Sequence, residues 1–152
     1  KTDAARLLVP YEAGIVNAEG RTALMLAAQV GDVDIAKLLV EKEAKMQNEN
    51  GVTALIVAAN NKQIEIARLL VDYEAGMTRN DGVTALIVAA GEKCKEIVEM
   101  LIPFEAGKKT NDDTTAFQMC CLRNEPELAE LLFDVEAEIC DQEGRTPLMM
   151  CA

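Results

Sequence analysis

The chain has 152 residues, half of them hydrophobic but only 3% aromatic, and its 15 basic and 26 acidic groups leave a net charge of −11. An acidic surplus of that size repels polyanions, which excludes nucleic acid and anionic membrane surfaces as expected partners. With no His and no Ser there is no Ser-His-Asp triad, no Cys-His pair and no His-ligated metal site, and no apolar run approaches the roughly 18 residues that span a bilayer.

In chain order, the first 19 residues carry Leu7-Leu8 and then Glu12-Ala13, the second half of a pattern that recurs with a period of 31. The Leu-Leu signal returns at Leu38-Leu39, Leu69-Leu70, Met100-Leu101 and Leu131-Leu132. Glu-Ala returns in the same register at Glu43-Ala44, Glu74-Ala75, Glu105-Ala106 and Glu136-Ala137. A third marker is Thr22, Thr53, Thr84, Thr115 and Thr146, each two residues after Gly20, Gly51, Gly82, Asp113 or Gly144. Self-similarity at a fixed period is the signature of a repeat array. It divides the chain into a partial unit 1–19, full units 20–50, 51–81, 82–112 and 113–143, and a partial unit 144–152.

Each unit reads as helix, turn, helix, loop. The first helix starts after the Thr, whose hydroxyl can accept from a free backbone N–H. Gln118, three residues after Thr115, completes a capping box, and Pro147 suits a first helical position. The body, as in Ala23-Leu24-Met25-Leu26-Ala27-Ala28, is apolar on most sides and is expected between neighbours. The second helix, for example 33–41, sets Ile35, Ala36, Leu38 and Leu39 on one stripe and Asp34, Lys37 and Glu41 on the other. Pro126 fits the first turn of such a helix, whereas Pro10 and Pro103 fall in the last turn and are expected to shorten it.

These residues resemble the ankyrin repeat, through Gly-x-Thr-Ala-Leu-x-x-Ala-Ala as in Gly51 to Ala59 and the Leu-Leu-x-x-x-Glu-Ala segment about eleven residues later. A tetratricopeptide array has a similar period but needs large aromatics at fixed places, and this chain has two Tyr and three Phe. Against the common ankyrin unit of about 33 residues, this one lacks two in the connecting loop. Glu stands where a helix-ending Gly is usual, and Met25, Ile56, Ile87, Gln118 or Met149 stands where a His is usual. The resemblance implies an all-α, ankyrin-like solenoid of stacked helix-turn-helix repeats with short connecting loops.

It also implies a protein–protein interaction module, a scaffold or adaptor, whose partner lies on the concave surface of loop tips and first-helix ends. In this sequence those places are Glu49, Asn50 and Val52; Asn80, Asp81 and Val83; Asn111 and Asp112; and the helix ends Asn60, Asn61, Glu92, Leu122 and Arg123. Leu122 and Arg123 stand where other units carry mostly polar or small residues, so they are either the centre of a contact patch or local packing beside Cys121. The acidic surplus favours a partner with a basic face. An alternative is a regulatory or targeting segment of a larger enzyme, such as a NIMA-related protein kinase. Acidic pairs such as Asp32 with Asp34 read as solvated helix starts, so no catalytic residue, cofactor, metal or small-molecule substrate is assigned and the chain is expected not to be an enzyme. Cys120 and Cys121 replace Ala-Ala as small hydrophobes, and Cys94, between Lys93 and Lys95, is the candidate reactive thiol. Five cysteines without C-x-x-C spacing suit a reduced, cytoplasmic setting. A monomer is expected, and the chain reads as a segment of a longer polypeptide.

Overall fold

A computed structural model describes residues 2–137 together with 139, 144, 146 and 149. Among them are nine helices: α1 (Thr2–Glu12), α2 (Ala23–Val30), α3 (Val33–Glu43), α4 (Ala54–Asn60), α5 (Ile64–Glu74), α6 (Ala85–Gly91), α7 (Lys95–Glu105), α8 (Ala116–Leu122) and α9 (Pro126–Glu136). They stack in two layers. Short helices α2, α4, α6 and α8 touch in sequence, the eleven-residue helices α1, α3, α5, α7 and α9 do the same, and each short helix packs on the long one that follows it. This is the all-α stacked helix-turn-helix fold. Pro147, and most of the segment 144–152, lie outside the described residues.

The core lies between the layers and is aliphatic. Leu24, Leu55 and Leu86 of the short helices and Ile66, Leu70, Ile97, Leu101 and Leu132 of the long ones are fully buried. Ala27-Ala28, Ala58-Ala59 and Ala89-Ala90 are buried as well; with no side chain beyond Cβ, they let neighbouring helices approach closely. Cys120 takes an Ala place with no exposure. On α3, Ala36, Leu39 and Val40 are buried while Asp34, Lys37 and Glu41 are exposed, the division expected of an amphipathic helix.

Each short helix is capped at its start as its sequence demands. The hydroxyls of Thr22, Thr53, Thr84 and Thr115 accept from the N–H groups of Met25, Ile56, Ile87 and Gln118. The Gln118 side chain accepts from Thr115 N–H at 2.9 Å and closes the capping box. The ends use a left-handed residue: Gly31, Lys62, Lys93 and Asn124 all have positive φ. In all four units the next residue's N–H reaches back to the last turn, Asp32 to Ala27, Gln63 to Ala58, Cys94 to Ala89 and Glu125 to Cys120, the long bond of a Schellman closure.

Two expectations need correction. Pro103 does not shorten its helix: α7 has the same eleven residues as α3, α5 and α9, and α1 runs through Pro10. Pro103 is exposed, so the carbonyl one turn before it, which loses its N–H donor, can turn to water instead. Cys94 is not a surface thiol. It caps α7, is 5% exposed, and points its Sγ at Glu96 Oε2 3.8 Å away. Burial beside a carboxylate is the opposite of the electropositive, open setting a reactive thiol needs.

Candidate protein-binding surface

Between each long helix and the next short one the chain makes a compact five-residue turn. Asn48 N–H donates to Val52 O and Gly51 N–H to Asn48 O. Residues 17–21, 79–83 and 110–114 repeat both bonds. Gly51 and Gly82 sit at φ 76° and 82°, and a Cβ there would come within 2.8 and 3.0 Å of the backbone nitrogens of Asn80 and Asn111. Both the conformation and the close approach of the next turn require glycine.

That approach ties the tips into a ladder. Asn80 N–H donates to Asn50 O and Asn111 N–H to Asp81 O. The Asn80 and Asn111 amides add bonds to Glu49 O and Asn80 O. Asn80 and Asn111 therefore hold turns together, and their side chains are already engaged. Asn61 is committed too, its amide donating to Val57 O at 2.8 Å. Asp81 accepts from Val83 N–H and pairs with Arg79 Nη2 at 2.8 Å. Glu49, Asn50 and Asn60 are exposed, and Val52 and Val83 are half-buried.

Six of the candidate residues converge. Asn60, Asp81, Val83, Glu92, Asp112 and Arg123 line a single hollow of about 350 Å³, floored by Ile87, Val88 and Met119. Gly91 opens it: this place is Asn60 one unit earlier and Leu122 one unit later. Glu92, Asp112 and Arg123 have no ion-pair partner among the described residues. Beside the hollow, Leu122 is 71% exposed, so it does not cover a gap next to Cys121. Three lysines of the turns and loops are, by contrast, engaged within the chain. Lys93 pairs with Glu125, Lys108 donates to Gly76 O, and Lys109 pairs with Asp113.

The glutamates of the recurring Glu-Ala pairs hold this surface in place. Glu43, Glu74, Glu105 and Glu136, the last residues of their helices, are 1% exposed. Each carboxylate accepts two backbone N–H groups. One oxygen takes Leu24, Leu55, Leu86 or Phe117, in the first turn of the short helix of the same unit, at 2.7 Å. The other takes Gly14, Lys45, Gly76 or Gly107, in the loop of the unit before, at 2.8 to 3.1 Å. Thr and Glu together thus satisfy two free N–H groups at each helix start, and the negative charge suits the helix dipole. The signal was periodicity: Glu43 lies four residues after Leu39 and seven after Ala36, on the core stripe, where a charge must be paid for by hydrogen bonds.

Burial raises the Glu74 carboxyl above its ordinary value, outweighing the Leu55 and Lys45 N–H groups and the Thr53 hydroxyl that pull it down. A carboxyl raised on folding favours its neutral form in the native state, so this group's contribution to stability grows as pH falls through the folded value and levels off below the unfolded value of about 4.5. The unfolding midpoint of the protein relative to that of its Glu74→Gln variant should therefore rise between pH 7 and pH 4, which paired denaturant melts would check. Cys120 is likewise pushed up, to about 12, by burial first and then by Cys121, Glu136 and Glu125, which keeps it an inert thiol in the core.

A family model described as "ankyrin repeats (3 copies)" matches residues 1–50, 41–113 and 86–152. No curated protein matches the chain.

Proposed function

The chain belongs to the ankyrin-repeat family, whose arrays are generally protein–protein interaction modules, and from this premise we propose that it is a non-catalytic scaffold or adaptor that binds a partner protein on its concave surface of loop tips and first-helix ends. The observation that carries this reading is the hollow, where three units meet around an apolar floor and two of them contribute the unpaired charges Glu92, Asp112 and Arg123. Glu92 and Asp112 offer unpaired carboxylates there, and with Glu49 and Asp81 they favour a partner with a basic face. Arg123 and the exposed Leu122 extend the contact toward α8. We take the working form to be a monomer, divided into units at 20, 51, 82, 113 and 144. Free thiols at Cys94, Cys120 and Cys121 support a reducing, cytoplasmic setting.

The test is capture of a partner on the immobilised protein, followed by association kinetics with the purified partner. Changing Glu49, Asp81 and Asp112 to Lys should slow association and weaken its salt dependence while helicity stays the same. An unchanged rate in the triple variant would remove the electrostatic argument and the surface with it.

A further inference from the structure

The long-helix layer carries an apolar row that the stack does not use. Tyr73, Phe104 and Val135 hold the same position in α5, α7 and α9, one residue before the buried glutamates, and are 40%, 50% and 49% exposed. In α3 the place is taken by Lys42, the polar residue expected on a solvated helix face. A single exposed apolar side chain needs no explanation, but a row in register on three adjacent helices marks a contact surface. The layer is also acidic. Asp72 and Asp134 directly precede Tyr73 and Val135, and Glu65, Glu96 and Glu127 recur in the first turns of the three helices, about two turns before the row. The cations on these helices are Arg68 and Lys95, and Lys95 lies 4.0 Å from Glu99.

We propose that this row is a second docking surface, distinct from the hollow, and that it takes a basic amphipathic helix of a partner protein laid across α5, α7 and α9. Spacing selects the helix. Packed helices lie about 8–10 Å apart, and seven residues of α-helix advance about 10.5 Å. An apolar residue at every seventh position would therefore meet Tyr73, Phe104 and Val135 in turn while staying on one face. An extended segment covers that distance in about three residues, which turns alternate side chains away. Charge selects the sign: Lys or Arg beside the apolar positions would meet Asp72 and Asp134, and the acidic first turns of the three helices add to the negative field. A second copy of this chain would set carboxylates against carboxylates, so it is not the occupant.

The probe is a labelled synthetic peptide of three heptads, with Leu recurring every seven residues on one face, Lys beside it and Ala elsewhere, followed by fluorescence anisotropy. Its control has the same composition with the Leu positions scrambled. The protein should bind the patterned peptide more tightly than the scrambled one, with affinity falling as salt rises. Changing Tyr73 and Phe104 together to Lys should weaken binding by about tenfold or more with an unchanged thermal midpoint; if the midpoint falls, the same pair changed to Gln serves instead. Glu92→Lys with Asp112→Lys, which alters the hollow, should leave peptide binding as it was. Equal binding of the scrambled peptide, no effect at Tyr73 and Phe104, a loss shared with the hollow variant, or no binding would each overturn the proposal. The shared loss would place the peptide in the hollow; the other outcomes leave the reading of the hollow untouched.

Discussion

Replacing Glu105 by Ala is expected to destabilise the array by about 3 kcal/mol or more, because it strands two donors, Leu86 N–H in the buried first turn of α6 and Gly76 N–H in the loop of the unit before. Each unsatisfied buried group costs roughly 1–3 kcal/mol, and the vacated space adds to that. Glu105→Gln should be intermediate: its carbonyl oxygen can replace one acceptor, but its amide nitrogen then faces a second N–H. Glu99→Ala, an exposed change on the same helix, should fall within about 0.5 kcal/mol of the parent. Denaturant melts of the three variants check the order. Since each unit touches only its neighbours, amide exchange should show the damage centred on the junction of α5, α6 and α7. A Glu105→Ala variant as stable as Glu99→Ala would mean that the buried carboxylates do not join the units.

Changing Leu122 and Arg123 together to Ala is expected to weaken partner binding by roughly 2 kcal/mol or more and to leave the thermal midpoint almost unmoved. The side chain of Leu122 is largely exposed and Arg123 has no ion pair among the described residues. Neither change therefore removes folded-state packing. The cap at the end of α8 survives, since it consists of backbone bonds from Arg123 N–H to Met119 O and from Glu125 N–H to Cys120 O. Calorimetric titration against the captured partner, run beside thermal melts, separates the two roles. A lowered midpoint with affinity preserved would make the pair structural and remove it from the surface.

What the sequence made legible follows from local physics. The Thr caps, the Ala-Ala pairs and the Leu-Leu stripes each work within one helix or one helix pair, so their spacing alone places the short and long helices. Features that depend on the offset between units were not legible. Glu43 and its equivalents look like exposed helix-end charges until the loop of the preceding unit, 29 residues earlier, is brought beside them. Asn80 and Asn111 look like ordinary turn formers, yet they reach 31 residues back to the preceding tip. The hollow has the same origin, because an absent side chain at Gly91 matters only once Asn60 and Arg123 stand on either side. Pro103 misled for a different reason: its cost depends on whether the orphaned carbonyl meets water, which exposure decides and sequence position does not.

The most direct test of the concave surface is an amide NMR titration of the isotope-labelled protein with its captured partner. The predicted result is that shifts cluster in the turns 79–83 and 110–114 and at the ends of α4, α6 and α8, with residues 91, 92, 122 and 123 among the largest. Shifts confined to α3, α5, α7 and α9, with those turns unmoved, would contradict it.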